Sequence, residues 1–229
     1  MATTTGGASA GRLVVLEGPE GAGKTTQLAR LRHWLAERQH PVLAVREPGT
    51  SELGAEIRRL LLDPAMQIAP AAEALLFMAA RAQLVAREIE PALRSGTHVL
   101  CDRFFLSTYA YQGVGRGLDL SGVRAANRLA TGGLVPDLTL LLDVDPAVGM
   151  ARAAARGAAD RMELAGTAFH ERVTGAFRRF AEPAWQAAHP ECGPIALIDA
   201  AGDPDAVFAR ILRAMGSVLP ETFSGATRS

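Results

Sequence analysis

One stretch, GPEGAGKT at positions 18–25, constrains this chain more than any other. It fits the pattern G-x-x-x-x-G-K-[ST], and it lies between an apolar run at 13–16, typical of a buried strand, and a helical pattern from Thr26. A strand, a glycine-rich turn and a helix N-terminus together place backbone N–H groups around an anion. The stretch therefore predicts a loop that binds the phosphates of a nucleoside triphosphate, with the candidate residues Gly18, Pro19, Glu20, Gly21, Ala22, Gly23, Lys24, Thr25 and Thr26.

Lys24 supports this interpretation, because it is the only lysine of the chain. Every other residue among the 24 lysines and arginines is arginine, a planar fork, whereas the loop needs a compact charge on a slim stem. The alternative is a chance match in a glycine-rich turn, which leaves the single lysine unexplained. We expect Lys24 to reach the β- and γ-phosphates and the Thr25 hydroxyl to ligate Mg²⁺.

The composition is that of a globular protein with an ample core. The chain has 229 residues, is 48% hydrophobic, and balances 24 acidic with 24 basic residues. Zero net charge gives no attraction to nucleic acid or to an anionic membrane, and no run reaches the ~20 apolar residues of a membrane span. We expect a single cytoplasmic domain over 1–229, flexible at 1–10 and 220–229, without a signal peptide and without a disulfide framework from Cys101 and Cys192.

Short apolar strands alternate with helical patterns along the chain. The predicted strands are 13–16, 42–45, 98–101, 138–142 and 195–198. The predicted helices are 26–38, 52–62, 71–94 with a bend at Pro91, 121–131 and 167–188, with two more starting at the Asp-Pro pairs 145–146 and 203–204. This alternation predicts an α/β fold of three layers, with a five-stranded parallel sheet and helices on both faces.

Charged residues follow the predicted strands at the edge where ligands of such sheets bind. Arg46 follows the second strand and can hold a phosphate with two hydrogen bonds. Asp102 and Arg103 follow the third strand, at the usual place for a carboxylate near Mg²⁺. The alternatives are an ordinary surface turn at Arg46 and a structural salt bridge at 102–103.

Phe77 and Arg81 are four residues apart on a predicted helix, so they share a face. An aromatic ring beside a guanidinium can stack on a base and donate to its carbonyl edge, although a core phenylalanine and a paired arginine explain the same pattern. Arg152, Arg156 and Arg161 flank a stretch rich in Gly and Ala, which indicates a mobile lid at about 152–167 that carries cations. The alternative is that these arginines are solvated charges on a helix, paired with Asp160 and Glu163.

Taken in order, the motifs GPEGAGKTT, REPGT, FMAAR, DRF, STYAYQG and ARGAADRME resemble the bacterial thymidylate kinases over about residues 12–215. The resemblance implies the P-loop NTPase fold, a homodimer, and transfer of the γ-phosphoryl group from ATP to dTMP with Mg²⁺. Because Ala22 and Gly23 carry no charge, it also implies that the catalytic arginine lies in the lid.

The resemblance assigns roles to residues of this sequence. Arg46, Glu47 and Pro48 contact the acceptor phosphate and the nearby loop; Phe77 stacks on thymine and Arg81 hydrogen-bonds it. Thr108, Tyr111 and Gln112 meet the pyrimidine edge and the sugar, and Tyr111 excludes a ribose 2′-hydroxyl. The implied metal-binding residues are Thr25 and Asp102, and the implied catalytic residues are Glu20, Lys24, Arg103, Arg152 and Arg156.

Other activities fit this sequence less well. A deoxynucleoside kinase would need a general base at a hydroxyl acceptor, and another nucleoside monophosphate kinase would share the loop. A GTP-dependent switch would read guanine with an [NT]-K-x-D motif, which cannot exist here because Lys24 is the only lysine and lies in the phosphate loop. The neutral charge argues against an ATPase that binds nucleic acid.

Overall fold

Five parallel strands form one sheet in the computed structural model, which describes residues 10–155 and 160–223. The strands are β1 (Leu13–Glu17), β2 (Val42–Arg46), β3 (His98–Asp102), β4 (Leu138–Asp143) and β5 (Ile195–Asp199), in the spatial order β2-β3-β1-β4-β5. Every neighbouring pair is parallel, which confirms the predicted sheet. Since β1 is the central strand, the loop that follows it emerges between the carboxyl ends of β3 and β4.

Helices cover both faces of this sheet, as the sequence predicts. They are α1 (Lys24–Glu37), α2 (Glu52–Leu62), α3 (Pro70–Leu84), α4 (Glu90–Arg94), α5 (Phe105–Thr108), α6 (Leu120–Thr131), α7 (Pro146–Ala154), α8 (Thr167–Phe180), α9 (Pro183–Ala188), α10 (Pro204–Val218) and α11 (Pro220–Phe223). Successive residues of β1 alternate between two cores: Leu13 and Val15 pack with side chains of the α8 face, and Val14 and Leu16 with those of α1 and α10. Because both faces are covered, β1 and β3 are buried throughout.

One long predicted helix is continuous and another is broken. The predicted helix 71–94 is helical throughout: α3 continues through a π-helical segment, Val85–Ile89, into α4, next to Pro91, where the sequence predicts a bend. The predicted helix 167–188 breaks after α8, and Pro183 is the first residue of α9. Only the second of these helix predictions was too long.

The C-terminal prediction also needs a correction. Residues 220–229 were expected to be flexible, but Pro220–Phe223 form the short helix α11. Phe223 is buried, and its ring centroid lies 5.4 Å from that of His98 and 6.0 Å from that of His40, so this contact fixes the segment. The expected flexibility of 1–9 and 224–229 concerns residues outside those described. Within the described ranges, no helix is long and apolar enough to cross a membrane.

Candidate active site

The phosphate loop, residues 18–25, is shaped by its glycines. Gly18, Gly21 and Gly23 have φ values of 138°, 71° and 89°, a region that side chains disfavour. A Cβ atom at Gly21 would also collide with the carbonyl oxygen of Gly149, and one at Gly18 with that of Leu142. The loop therefore passes closely over β4 and α7 and enters α1, whose N-terminus favours an anion.

Lys24 is held by the backbone of its own loop. Its Nζ donates to the carbonyl oxygens of Gly18 (2.9 Å) and Pro19 (2.7 Å). Burial and then the nearby Arg103 guanidinium lower the pKa of Lys24 to about 8. An ammonium has three N–H bonds, so one is left for a phosphate oxygen.

Thr25 and Asp102 meet beside this loop, and their arrangement fits a magnesium ion. The Thr25 hydroxyl donates to Asp102 Oδ2 (3.0 Å), while Asp102 Oδ1 is buried and has no hydrogen-bond partner among the described residues. A buried carboxylate oxygen without a donor is suited to a cation. No group of three or more His, Cys, Asp or Glu in the described ranges could hold a metal, and Mg²⁺ bound with a nucleotide needs only one or two protein ligands.

Arg103 connects the loop to the residues after β3. It adopts a φ of 73°, unusual for a residue with a side chain, and its guanidinium donates to the Glu20 carboxylate and to Ser107 Oγ (2.9 Å). The Tyr111 hydroxyl donates to the same Glu20 oxygen at 3.1 Å. The structure thus brings together Glu20, Arg103 and Tyr111, although the roles assigned to them stay predictions.

Arg81 and Glu47 form a buried ion pair, with 1% and 3% of each residue exposed. Arg81 Nε donates to Glu47 (2.9 Å), and its Nη2 donates to the Phe104 carbonyl (2.8 Å) and to Thr108 Oγ1 (3.0 Å). Burial raises the pKa of Glu47, and the positive charge of Arg81 opposes that rise. The protein itself therefore uses most donors of Arg81, and the predicted contact with thymine stays a prediction.

One cavity of about 520 Å³ joins these groups. Of the predicted residues, the following line it: Glu20, Gly21, Gly23, Lys24, Thr25, Thr26, Arg46, Glu47, Pro48, Phe77, Arg81, Asp102, Arg103, Thr108, Tyr111 and Gln112. The other predicted loop residues, Gly18, Pro19 and Ala22, belong to the phosphate loop but do not line the cavity. The strand-end residues and the α3 face, far apart in sequence, thus border one space.

The lid arginines are placed differently from one another. Arg152 is exposed on α7 and does not line the cavity. Arg156 lies outside the described residues. Arg161 donates to the Leu61 carbonyl (2.8 Å) and pairs with the buried Glu73 (2.7 Å), so it contacts both α2 and α3.

Sequence reasoning missed several residues of the site. Arg58 lines the cavity from α2 and donates to the Pro48 carbonyl at 3.1 Å; burial and the positive charge of Arg46 lower its pKa. Glu17 is buried and accepts from Ser107 Oγ (2.6 Å) and from the Phe104 N–H (2.7 Å). No local pattern marks Arg58, whereas Glu17 ends the first predicted strand, at the edge where charged residues gather. Glu73 lies four residues before Phe77 on the same helix face, which helical spacing would have found.

Comparison with known proteins places these residues in a family. The family model described as Thymidylate kinase matches residues 16–190. A thymidylate kinase of Deinococcus radiodurans is 48% identical over 207 residues, which cover 90% of this chain and 97% of that protein. One from Gloeobacter violaceus is 51% identical over 170 residues, or 73% and 80% of the two chains. One from Thermosynechococcus vestitus is 44% identical over 228 residues, or 93% and 90%.

Proposed function

This chain belongs to the thymidylate kinase family, and we propose that its cavity holds ATP at the phosphate loop and dTMP between Phe77 and Arg103. The reaction moves the γ-phosphoryl group of ATP to the 5′-phosphate of dTMP and gives dTDP and ADP. A phosphate acceptor is already ionised near neutral pH, so no general base is required.

One observation carries this proposal: the same cavity is lined by Lys24 and Thr25 of the phosphate loop and by Arg46 and Arg103 at the ends of β2 and β3. Cations from separate segments around a transferring phosphoryl group can align donor and acceptor and stabilise the developing charge. Glu20 holds the guanidinium of Arg103 at the mouth of the loop. We assign the remaining catalytic cation to Arg152 or Arg156 of the lid.

We propose Mg²⁺ as the cofactor, held by Thr25 and Asp102. The free Oδ1 of Asp102 supports this assignment. Bound with ATP, the ion would neutralise charge on the phosphates. Arg46, whose Nε lies 3.7 Å from Asp102 Oδ2, keeps that carboxylate paired.

A screen of acceptors with ATP and Mg²⁺ tests the proposed function. We expect turnover of dTMP and none of thymidine, since Arg46 and Arg103 would have no phosphate to hold on a nucleoside. Phosphorylation of thymidine without phosphorylation of dTMP would identify a deoxynucleoside kinase instead.

We further propose that the protein is a cytoplasmic homodimer. Leu53 of α2, Leu75 of α3 and Leu129 of α6 are 47%, 63% and 87% exposed, and α3 packs against both other helices. Three exposed leucines on adjoining helices suit a protein interface better than solvent. We expect Leu75→Asp with Leu129→Asp to give a monomer in light scattering, whereas the matched change at the exposed Leu197 of β5 leaves the dimer intact. A monomeric wild-type protein would contradict the proposal.

A further inference from the structure

Glu73 is a buried carboxylate in the first turn of α3 with no exposed surface. Its Oε1 accepts from Gln112 Nε2 (2.9 Å) and Arg116 Nε (3.1 Å). Its Oε2 accepts from Arg116 Nη2 (3.0 Å) and Arg161 Nη2 (2.7 Å). This single side chain therefore connects α3, the segment after α5 and the segment that contains Arg161.

The partners of Glu73 keep it ionised. Burial alone would raise its pKa, but the hydrogen bonds from Arg116, Gln112 and Arg161 outweigh burial and lower the pKa below the usual value. An ionised carboxylate only accepts hydrogen bonds. Whichever group faces Glu73 must therefore be a donor.

This requirement fixes the side-chain amide of Gln112. The amide has one donor end and one acceptor end, and Glu73 can be matched only by the donor end, Nε2. The acceptor Oε1 is then left over, and no residue in the described ranges donates to it. Gln112 lines the cavity beside Thr108 and Phe77, where the proposed base would lie.

We propose that Glu73 is a positioning residue for base selection, which orients Gln112 so that its Oε1 accepts the N–H at ring position 3 of thymine. The inference rests on the proposed function, because it concerns the base of the same acceptor. Uracil carries the same N–H, so Oε1 of Gln112 does not discriminate against dUMP. Cytosine has a lone pair at that position, which would face the lone pairs of Oε1, so dCMP is disfavoured.

The variant Glu73→Gln tests this orientation, since its amide has the shape of the carboxylate but can donate. On the Oε2 side an NH₂ group would face two cationic donors, Arg116 and Arg161, whereas on the Oε1 side it faces Gln112 and one N–H of Arg116. The NH₂ group should therefore take the Oε1 side and turn Oε1 of Gln112 towards itself. Nε2 of Gln112 would then face the base.

We expect the ratio of kcat/KM for dTMP to that for dCMP to fall at least ~10-fold in Glu73→Gln, because the polar mismatch with cytosine is removed. The ratio of dTMP to dUMP should stay unchanged, since both bases carry the N–H. If Glu73 were merely structural, all three monophosphates would lose kcat/KM by the same factor, and an unchanged dTMP-to-dCMP ratio overturns the proposal.

Gln112→Met is the matched control, because it removes the amide while keeping the length of the side chain. In that background, Glu73→Gln should no longer alter the dTMP-to-dCMP ratio; an undiminished effect would mean that Glu73 does not act through Gln112. Absence of dTMP turnover in the wild-type protein would instead contradict the proposed function itself.

A measurement on the wild-type protein covers the case in which Glu73→Gln does not fold. The side-chain amide resonance of Gln112, identified by its loss in Gln112→Met, should show N–H protons protected from solvent exchange both with and without dTMP. Protection that arises only when dTMP binds would show that Nε2 faces the base, and would overturn the proposal.

Discussion

The two ends of the cavity are built in different ways. The proposed donor end is one contiguous loop, in which Lys24 donates to the backbone carbonyls of Gly18 and Pro19 and, among residues 10–155 and 160–223, to no side chain. The acceptor end depends on buried side-chain pairs between distant segments, such as Arg81 with Glu47, 34 residues away in sequence. Substitutions at the donor end should therefore change the chemistry and leave the fold intact, whereas those at the acceptor end should change both.

Lys24→Met should have the largest effect and tests the first half of this comparison. Loss of a cation that acts on the transferring group should reduce kcat by about 10³–10⁵-fold. The free energy of unfolding should change little, because an apolar chain of similar length replaces a desolvated charge. Activity assays with urea unfolding check both values, and near-normal turnover would remove the argument from the single lysine.

Arg81→Met tests the second half. It leaves the Glu47 carboxylate buried without its cation, which should lower the free energy of unfolding by ~3–5 kcal/mol. Urea unfolding measures this loss. In the double variant with Glu47→Gln, much of the stability should return, because no charge is left unpaired. A loss below about 1 kcal/mol in the single variant would mean that substitutions at the acceptor end lower the free energy of unfolding no more than those in the loop.

Asp102→Asn tests a residue that lies between the two ends, since Asp102, at the end of β3, accepts a hydrogen bond from Thr25 of the loop. We expect the Mg²⁺ concentration needed for half-maximal activity to rise ~10–100-fold, because the amide removes the charge that attracts the ion. Asp160→Asn is the control: Asp160 lines the same cavity, but its Oδ1 accepts from the backbone N–H groups of Met162 and Glu163. An equal shift in both variants would show a general effect of charge and not a ligand at Asp102.

The same contrast explains what the sequence could predict. The phosphate loop and the five strands follow from local patterns, because turn chemistry and apolar runs act over a few residues. The partners of Arg81 and Glu73 could not be predicted locally, since Asn127 and Arg161 reach them only after the helices pack. The predicted helix 167–188 was too long because helical periodicity continues past Pro183, where a backbone donor is missing.

The smallest expected effect is the pH dependence of the donor end. With the pKa of Lys24 lowered to about 8, kcat/KM for ATP should decline above that pH, by about tenfold near pH 9, as the ammonium loses its proton. The arginine in Lys24→Arg does not lose its charge in this pH range, so the residual activity of that variant should not decline above pH 8.

A loss of stability through Lys24 does not explain such a decline in activity. Because the pKa of Lys24 is lower in the folded state, the unfolded chain binds more protons between about pH 8 and 10.5, and the contribution of Lys24 to stability rises with pH across that window. A profile that is flat to pH 9.5 in the wild-type protein (roughly one and a half units above that pKa) would show that the loop does not depend on the charge of Lys24.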